Sequence, residues 1–193
     1  RDKLQAGTYV LSPSLSTQQI VNKMVEGDVA TNLLTILPGK TIDQVKKYFI
    51  SAGYSQSDVD YAFNPANYKD HPALVSLPSG ASLEGYLYPD SFEKTSTTPA
   101  STIVKASLDE MAKKLTPDLQ AKFAQQGLSV RQATTLASII LQESGNPNDQ
   151  PGIAQVFLKR LKQGMMLGSD VTAFYASSLA NKEPSVFIDS PYN

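Results

Sequence analysis

The stretch Leu128–Asn146, LSVRQATTLASIILQESGN, constrains this chain most, because both of its ends are written in local side-chain chemistry. Ser129 followed three residues later by Gln132 makes a capping box, and Gly145 with Pro147 supplies a stop, so the pattern predicts a helix between them. At 3.6 residues per turn, Ala133, Leu136, Ala137 and Ile140 share one face, and Glu143 lies one turn beyond Ile140 at the edge of that stripe. An acid in the last turn of a helix is opposed by the unsatisfied carbonyls and partial negative charge there. Together with apolar surroundings this favours the neutral carboxyl, the form a general acid uses. The plainer reading of the same position is a surface Glu, its stem on the apolar edge and its carboxylate in water.

Length and composition bound the rest. A chain of 193 residues, 41% hydrophobic, can bury a core as one domain or two small ones. Its net charge of −1 comes with scattered Lys and Arg, without the basic stripe a phosphate backbone requires, so nucleic acid is not expected as a partner. No apolar run is long enough to span a bilayer. Without cysteine there are no disulfides, thiolate nucleophiles or thiolate metal sites. A Ser-His-Asp triad or an imidazole zinc site would have to be built around His71 alone, which is read as an exposed residue of the loop YKDHPAL. No metal and no cofactor are expected. The chain opens on Arg1 and closes on SPYN; both ends read as cut, so an anchoring or completing segment is expected outside these residues.

Along the chain, residues 8–12 (TYVLS) have strand composition, and an amphipathic helix with Ile20, Val21, Met24 and Val25 on one side follows, stopped by Gly27. Residues 33–37 (LLTIL) form a second strand candidate; after Pro38-Gly39, Thr41 caps a helix carrying Ile42, Val45 and Phe49. A short helix is expected over Ser57–Phe63. In LEGYLYPDSF, residues 83–92, apolar and aromatic side chains gather around Glu84, which reads either as a buried strand or as a saccharide or peptide surface, Tyr offering flat apolar area with a polar handle. Helices are predicted from Thr98-Pro99 and Thr116-Pro117, and Ile153, Val156, Phe157 and Leu161 form the stripe of another whose last turn is basic.

Glycoside cleavage ordinarily uses two carboxylates. Glu143 is the acid candidate, and Glu84, Asp90 and Asp170 are possible partners at distant positions. One carboxyl suffices where the substrate supplies its own nucleophile, the acid later serving as base.

Four segments carry a resemblance: LEGYLYPDSF at 83–92, LASIILQESG at 136–145, VFLKRLKQGMMLGSDVTAFYA at 156–176 and DSPYN at 189–193. In their order and spacing they resemble the successive signatures of the YceG-like family of endolytic murein transglycosylases. The resemblance implies an α+β fold, with a small LysM-like β/α subdomain at residues 1–75 followed by a mainly helical, lysozyme-like transglycosylase domain at 76–193. It implies a bacterial protein tethered to the cytoplasmic membrane by a helix outside these residues, its catalytic part on the outer face. The expected substrate is the peptidoglycan glycan strand, cut internally. A Glu protonates the glycosidic oxygen after N-acetylmuramic acid, then acts as base while that sugar's C6 hydroxyl closes an anhydro ring.

By motif position the family's acid falls on Glu143. Ser144, which follows it, is implied to bind the acid or the sugar, and Tyr192-Asn193 resemble a Tyr-Asn pair that lines the cleft. Glu84, Tyr86, Asp90, Ser169, Asp170 and Thr172 fill motif positions that line or support the cleft. Cell-wall synthases are the partners that the resemblance suggests. The chain departs from the family in carrying Leu141 where a second acid is common, and Leu37-Pro38-Gly39 where Pro-Glu-Gly is usual. Family members continue past SPYN, so a complete cleft is expected to draw on residues beyond Asn193. A binding or scaffold module that holds glycan without cutting, and an ordinary hydrolase with a second carboxylate, are the alternatives.

Overall fold

The computed structural model describes residues 4–5, 9–27 and 33–191, and the chain divides into two compact units, Arg1–Lys114 and Leu115–Asn193. The fold is α+β and mainly helical, as expected, with one two-stranded sheet among the described residues. No helix among them is long and apolar enough to cross a membrane.

In the first unit, helix α1 (Thr17–Glu26) is capped by Ser16 and Gln19 in a capping box and ends at Gly27 in the left-handed conformation. Strand β1 (Leu33–Thr35) is followed by α2 (Ile42–Ser51), which starts from a second capping box at Thr41 and Gln44. Helix α3 (Gln56–Ala62) is capped by Ser55, and two single turns of 3-10 helix, Pro65–Tyr68 and Pro72–Leu74, lead toward β2 (Ser91–Glu93) and α4 (Ala100–Lys114). The strands pair antiparallel with Leu34 opposite Phe92 and Thr35 opposite Ser91. Leu34 and Phe92 turn inward, onto a core that includes Phe49, Val59, Phe63, Leu83, Ile103 and Leu108. The Phe49 and Phe63 rings meet edge to face, 5.1 Å between centroids, the arrangement that aromatic quadrupoles favour.

Three expectations change here. Residues 9–12 hold no strand, and residue 8 lies outside the described residues. A run of five residues without a partner strand cannot satisfy its backbone as a ladder. The segment 83–92 is turn-rich rather than a buried strand: Gly85 takes φ +80°, which breaks an extended run, and only Ser91–Glu93 pair. His71 is not an exposed loop residue, since its side chain is only 9% exposed. Its Nδ1 accepts from the Ala73 N–H at 3.2 Å, which leaves Nε2 to donate to Asp109 of α4 at 2.9 Å. Asp109 also takes both Lys105 contacts, at 2.9 and 3.0 Å; the ammonium, against partial burial and with the His71 ring, holds its carboxyl below the ordinary value.

The second unit is helical throughout its regular elements: α5 (Pro117–Gln125), α6 (Val130–Glu143), α7 (Gln150–Lys162) and α8 (Asp170–Leu179). Helix α6 packs against the other three, burying Ala133 and Leu136; Phe157 of α7 and Ala173 and Ala176 of α8 are the other buried apolar residues of these helices. The stripe expected on α7 is only partly used, because Val156 and Leu161 stay 49% and 43% exposed. The packing units do not follow the division at 75/76: β2 closes on β1 and α4 packs on α3, so residues 76–114 fold with those before them.

Phe49 is fully buried, and Phe49→Ala is expected to cost about 3–5 kcal/mol in urea unfolding. Val75→Ala, at a site 87% exposed, serves as the control and should stay within about 0.5 kcal/mol of the parent.

Candidate active site

The capping box at Ser129 and Gln132 fixes where α6 begins, and fourteen residues later the helix delivers Glu143 at its last position. Ser144 leaves the helix in an extended conformation, with φ −150° and ψ 125°. Its hydroxyl donates to Asp149 at 3.1 Å and accepts from the Asn146 N–H at 3.1 Å, while its carbonyl accepts from the Gln150 side chain at 3.2 Å. The turn after the acid is therefore tied down at both ends.

Ser169 stands at the N-cap of α8, yet its hydroxyl does not cap that helix. It donates to Oε1 of Glu143 at 2.5 Å instead. The Ser169 carbonyl accepts from the Thr172 hydroxyl at 2.8 Å, and Asp170 occupies the first turn of α8. The negative end of α6 and the positive end of α8 thus converge on one carboxyl group. With Oε1 held, the group is oriented rather than free to rotate. Glu143 is exposed, as is Ala137 behind it, so the apolar surroundings expected for the acid are absent.

The loop that presents Ser169 has its own support. Arg160, in the last turn of α7, donates from Nη1 to the Leu167 carbonyl, and its own carbonyl accepts from the Met165 N–H at 2.9 Å. Gly164 and Gly168 both take left-handed φ values, +65° and +61°. A Cβ on Gly168 would stand 3.0 Å from Arg160 Nη1, whereas at Gly164 nothing lies within 4 Å. Sequence reasoning found Ser169 but missed Arg160 and Asp149. The basic last turn of α7 is explained by the helix dipole alone, and nothing in the sequence says which of its side chains turns back onto the loop.

Structure thus brings together Glu143, Ser169, Asp170, Thr172 and Ser144, in the second unit. Glu84, Tyr86 and Asp90 belong to the first. Glu84 accepts from the Ile42 N–H at 2.7 Å, adding an acceptor at the start of α2; burial pushes its carboxyl up from the ordinary value, the Ile42 bond opposes this and Asp43 adds to it. Tyr86 is 1% exposed and fills the core, its hydroxyl 3.2 Å from that of Ser76. Asp90 accepts from the Ser91 N–H at 2.7 Å, and its carbonyl takes the Ile36 N–H at 2.8 Å. Tyr192 and Asn193 lie outside the described residues. Among the described residues no three His, Asp or Glu gather as a metal set.

A sequence model of the YceG-like family matches residues 1–193. The chain belongs to the YceG-like family. It is 29% identical over 221 residues to an endolytic murein transglycosylase of Streptococcus pneumoniae serotype 2, covering 98% of this chain and 40% of that protein. Against the Bacillus subtilis protein of the same name the identity is 28% over 206 residues, with 98% and 57% covered. A crystallised YceG-like protein of Listeria monocytogenes shares the fold, with a TM-score of 0.67 and 30% identity over 99% of this chain and 68% of that one. This YceG-like chain therefore spans less than two thirds of the length of the curated relatives it matches.

Gly164→Ala and Gly168→Ala should each cost about 1–2 kcal/mol for forcing a Cβ into the left-handed region. Gly168→Ala is expected to lose more, because the Arg160 guanidinium is pinned by the Leu167 carbonyl and gives way only by breaking that bond; chemical denaturation of the two variants measures the difference. For Glu84, the folded state keeps its proton to a higher pH than the unfolded chain, so this carboxyl withdraws stability as pH rises through its raised value. Glu84→Gln keeps an acceptor for Ile42 and removes the titration. A melting temperature less dependent on pH above the ordinary glutamate value, about 4.3, is the expected result.

Proposed function

We propose that this chain is the working part of an endolytic peptidoglycan transglycosylase, with Glu143 as acid and then base. The observation that carries the reading is the carboxyl of Glu143, oriented by Ser169 across the α6 and α8 termini. It stands in a chain matched over 98% of its length to proteins named endolytic murein transglycosylases. In the first step Glu143 gives its proton to the glycosidic oxygen between N-acetylmuramic acid and N-acetylglucosamine, and the C1–O bond breaks. In the second the carboxylate takes the proton of the C6 hydroxyl of the same muramyl residue, whose oxygen closes on C1 as a 1,6-anhydro ring. Water does not enter, so no second carboxylate is required to activate it. Ser169 holds the acid through both steps; Ser144, Asp170 and Thr172 stand beside it as sugar-binding or supporting groups. Glu84, Tyr86 and Asp90 are assigned the supporting role, and Tyr192 with Asn193 the lining of the cleft.

The same reading takes residues 1–75 as LysM-like and 76–193 as the catalytic part. The chain's place is the bacterial envelope, on the outer face of the cytoplasmic membrane, with its anchor supplied from outside residues 1–193 and cell-wall synthases as neighbours. A module that holds glycan without cutting is the second reading, favoured by the exposure of Glu143.

Mass spectrometry of purified glycan strands incubated with the chain decides between them. Anhydro-muramyl ends are expected, falling at least about 100-fold with Glu143→Gln. Reducing ends would replace the transglycosylase with a hydrolase, and binding without any product would favour the non-cutting module.

A further inference from the structure

The N-cap side chains of α7 and α8, Asp149 and Ser169, close neither helix. Both turn instead toward one dipeptide. Ser169 reaches the Glu143 carboxyl, and Oδ2 of Asp149 accepts from the hydroxyl of Ser144, the next residue, at 3.1 Å. That hydroxyl has one proton, and Asp149 takes it, so none is left to offer a sugar or Glu143. The Ser144 main chain is held as well. Its N–H donates to the Ile140 carbonyl at 3.1 Å, and its carbonyl accepts from the Gln150 side chain at 3.2 Å. Asp149 is itself fixed at the start of α7: its N–H donates to the Asn146 carbonyl at 3.1 Å, and its carbonyl accepts from the Ile153 N–H at 3.2 Å.

We propose that Asp149 is a positioning residue for Glu143, acting through Ser144. The last residue of a helix is where the backbone frays, and a side chain there points where its main chain directs it. Glu143 occupies that position and is exposed, so packing does not restrain it. Ser169 fixes the carboxyl end of the side chain. Asp149 fixes the main-chain end, by locking Ser144 onto the first turn of α7. A carboxyl that gives a proton and takes one back needs both anchors, because a misplacement of about 1 Å costs on the order of a hundredfold in rate. The proposal rests on the reading of Glu143 as acid and base, and it gives Ser144 the supporting role rather than the sugar-binding one.

The test is a double-mutant cycle of Asp149→Ala and Ser144→Ala in the whole chain acting on glycan strands, reading kcat, KM and the melting temperature. Each single variant is expected to lower kcat about tenfold or more with KM unchanged, and the two together to lose no more than Ser144→Ala alone. Since Asp149 makes no cap bond, its removal should leave the melting temperature at the parent's value. Asp149→Asn, which keeps an acceptor and drops the charge, should restore most of the rate. Additive losses, a raised KM in place of a lowered kcat, or a full rate in Asp149→Ala would overturn the proposal. The carbon-13 resonance of the Glu143 carboxyl gives a readout without turnover: it should move in Asp149→Ala and return in Asp149→Asn. If the parent chain makes no anhydro-muramyl ends, the reading of Glu143 fails by itself, and that resonance decides the role of Asp149; a resonance unmoved by Asp149→Ala overturns it.

Discussion

Every helix in this chain begins with N–H groups that its own turns cannot satisfy, and the structure turns on how those ends are closed. Ser16, Thr41, Ser55, Thr116 and Ser129 close α1, α2, α3, α5 and α6 with their own side chains. At α7 and α8 the N-cap side chain makes no such bond, and at α8 it is used elsewhere. A serine stands in the N-cap position, but its hydroxyl reaches across to a carboxyl at the far end of another helix. Local rules tend to be broken where a protein does its work, because the lost cap has to be offset by something the site needs. Here the gain is an acid held in one orientation between two helix ends of opposite polarity.

The proposed reading gives all the proton transfer to one oriented carboxyl, Glu143, and that limits the chemistry. Hydrolysis of a glycoside needs a second group to prepare water, whereas an intramolecular closure needs one group that gives a proton and takes one back. Orientation matters more in the second case, since the same atoms serve both steps and their geometry has to suit two positions of the proton. The brace from Arg160 to the Leu167 carbonyl holds the short stretch from which Ser169 reaches Glu143, the group to which the proposed reading gives both proton transfers.

The first unit illustrates a different economy. Its three-residue ladder joins strands nearly sixty residues apart in sequence, and so short a sheet is stable only with helices packed on it. The residues between do that packing from turns. Leu83 and Tyr86 reach the core from a segment whose composition resembles a strand, because Gly85 lets the backbone double back where an extended run would carry alternate side chains outward. Glu84, in the same turn, lends its carboxylate to the start of α2.

Helix positions, their caps, the solitary acid at the end of α6 and the motif order that places the chain in its family were legible in the sequence, because each depends on neighbours within a few residues. Capping boxes and glycine stops are such local signals, and 3.6-residue periodicity sets which side chains share a face. What the sequence left open was set by contacts between residues far apart. The pairing of Leu34 with Phe92, the burial of His71 against Asp109, the exposure of Glu143 and the hydrogen bond from Ser169 all join positions 26 to 58 residues apart or depend on what the whole unit covers. No local pattern encodes those distances, since they follow from how the helices pack; tertiary structure alone decided which hydroxyl would meet the acid and which carboxylate would instead hold a helix in place.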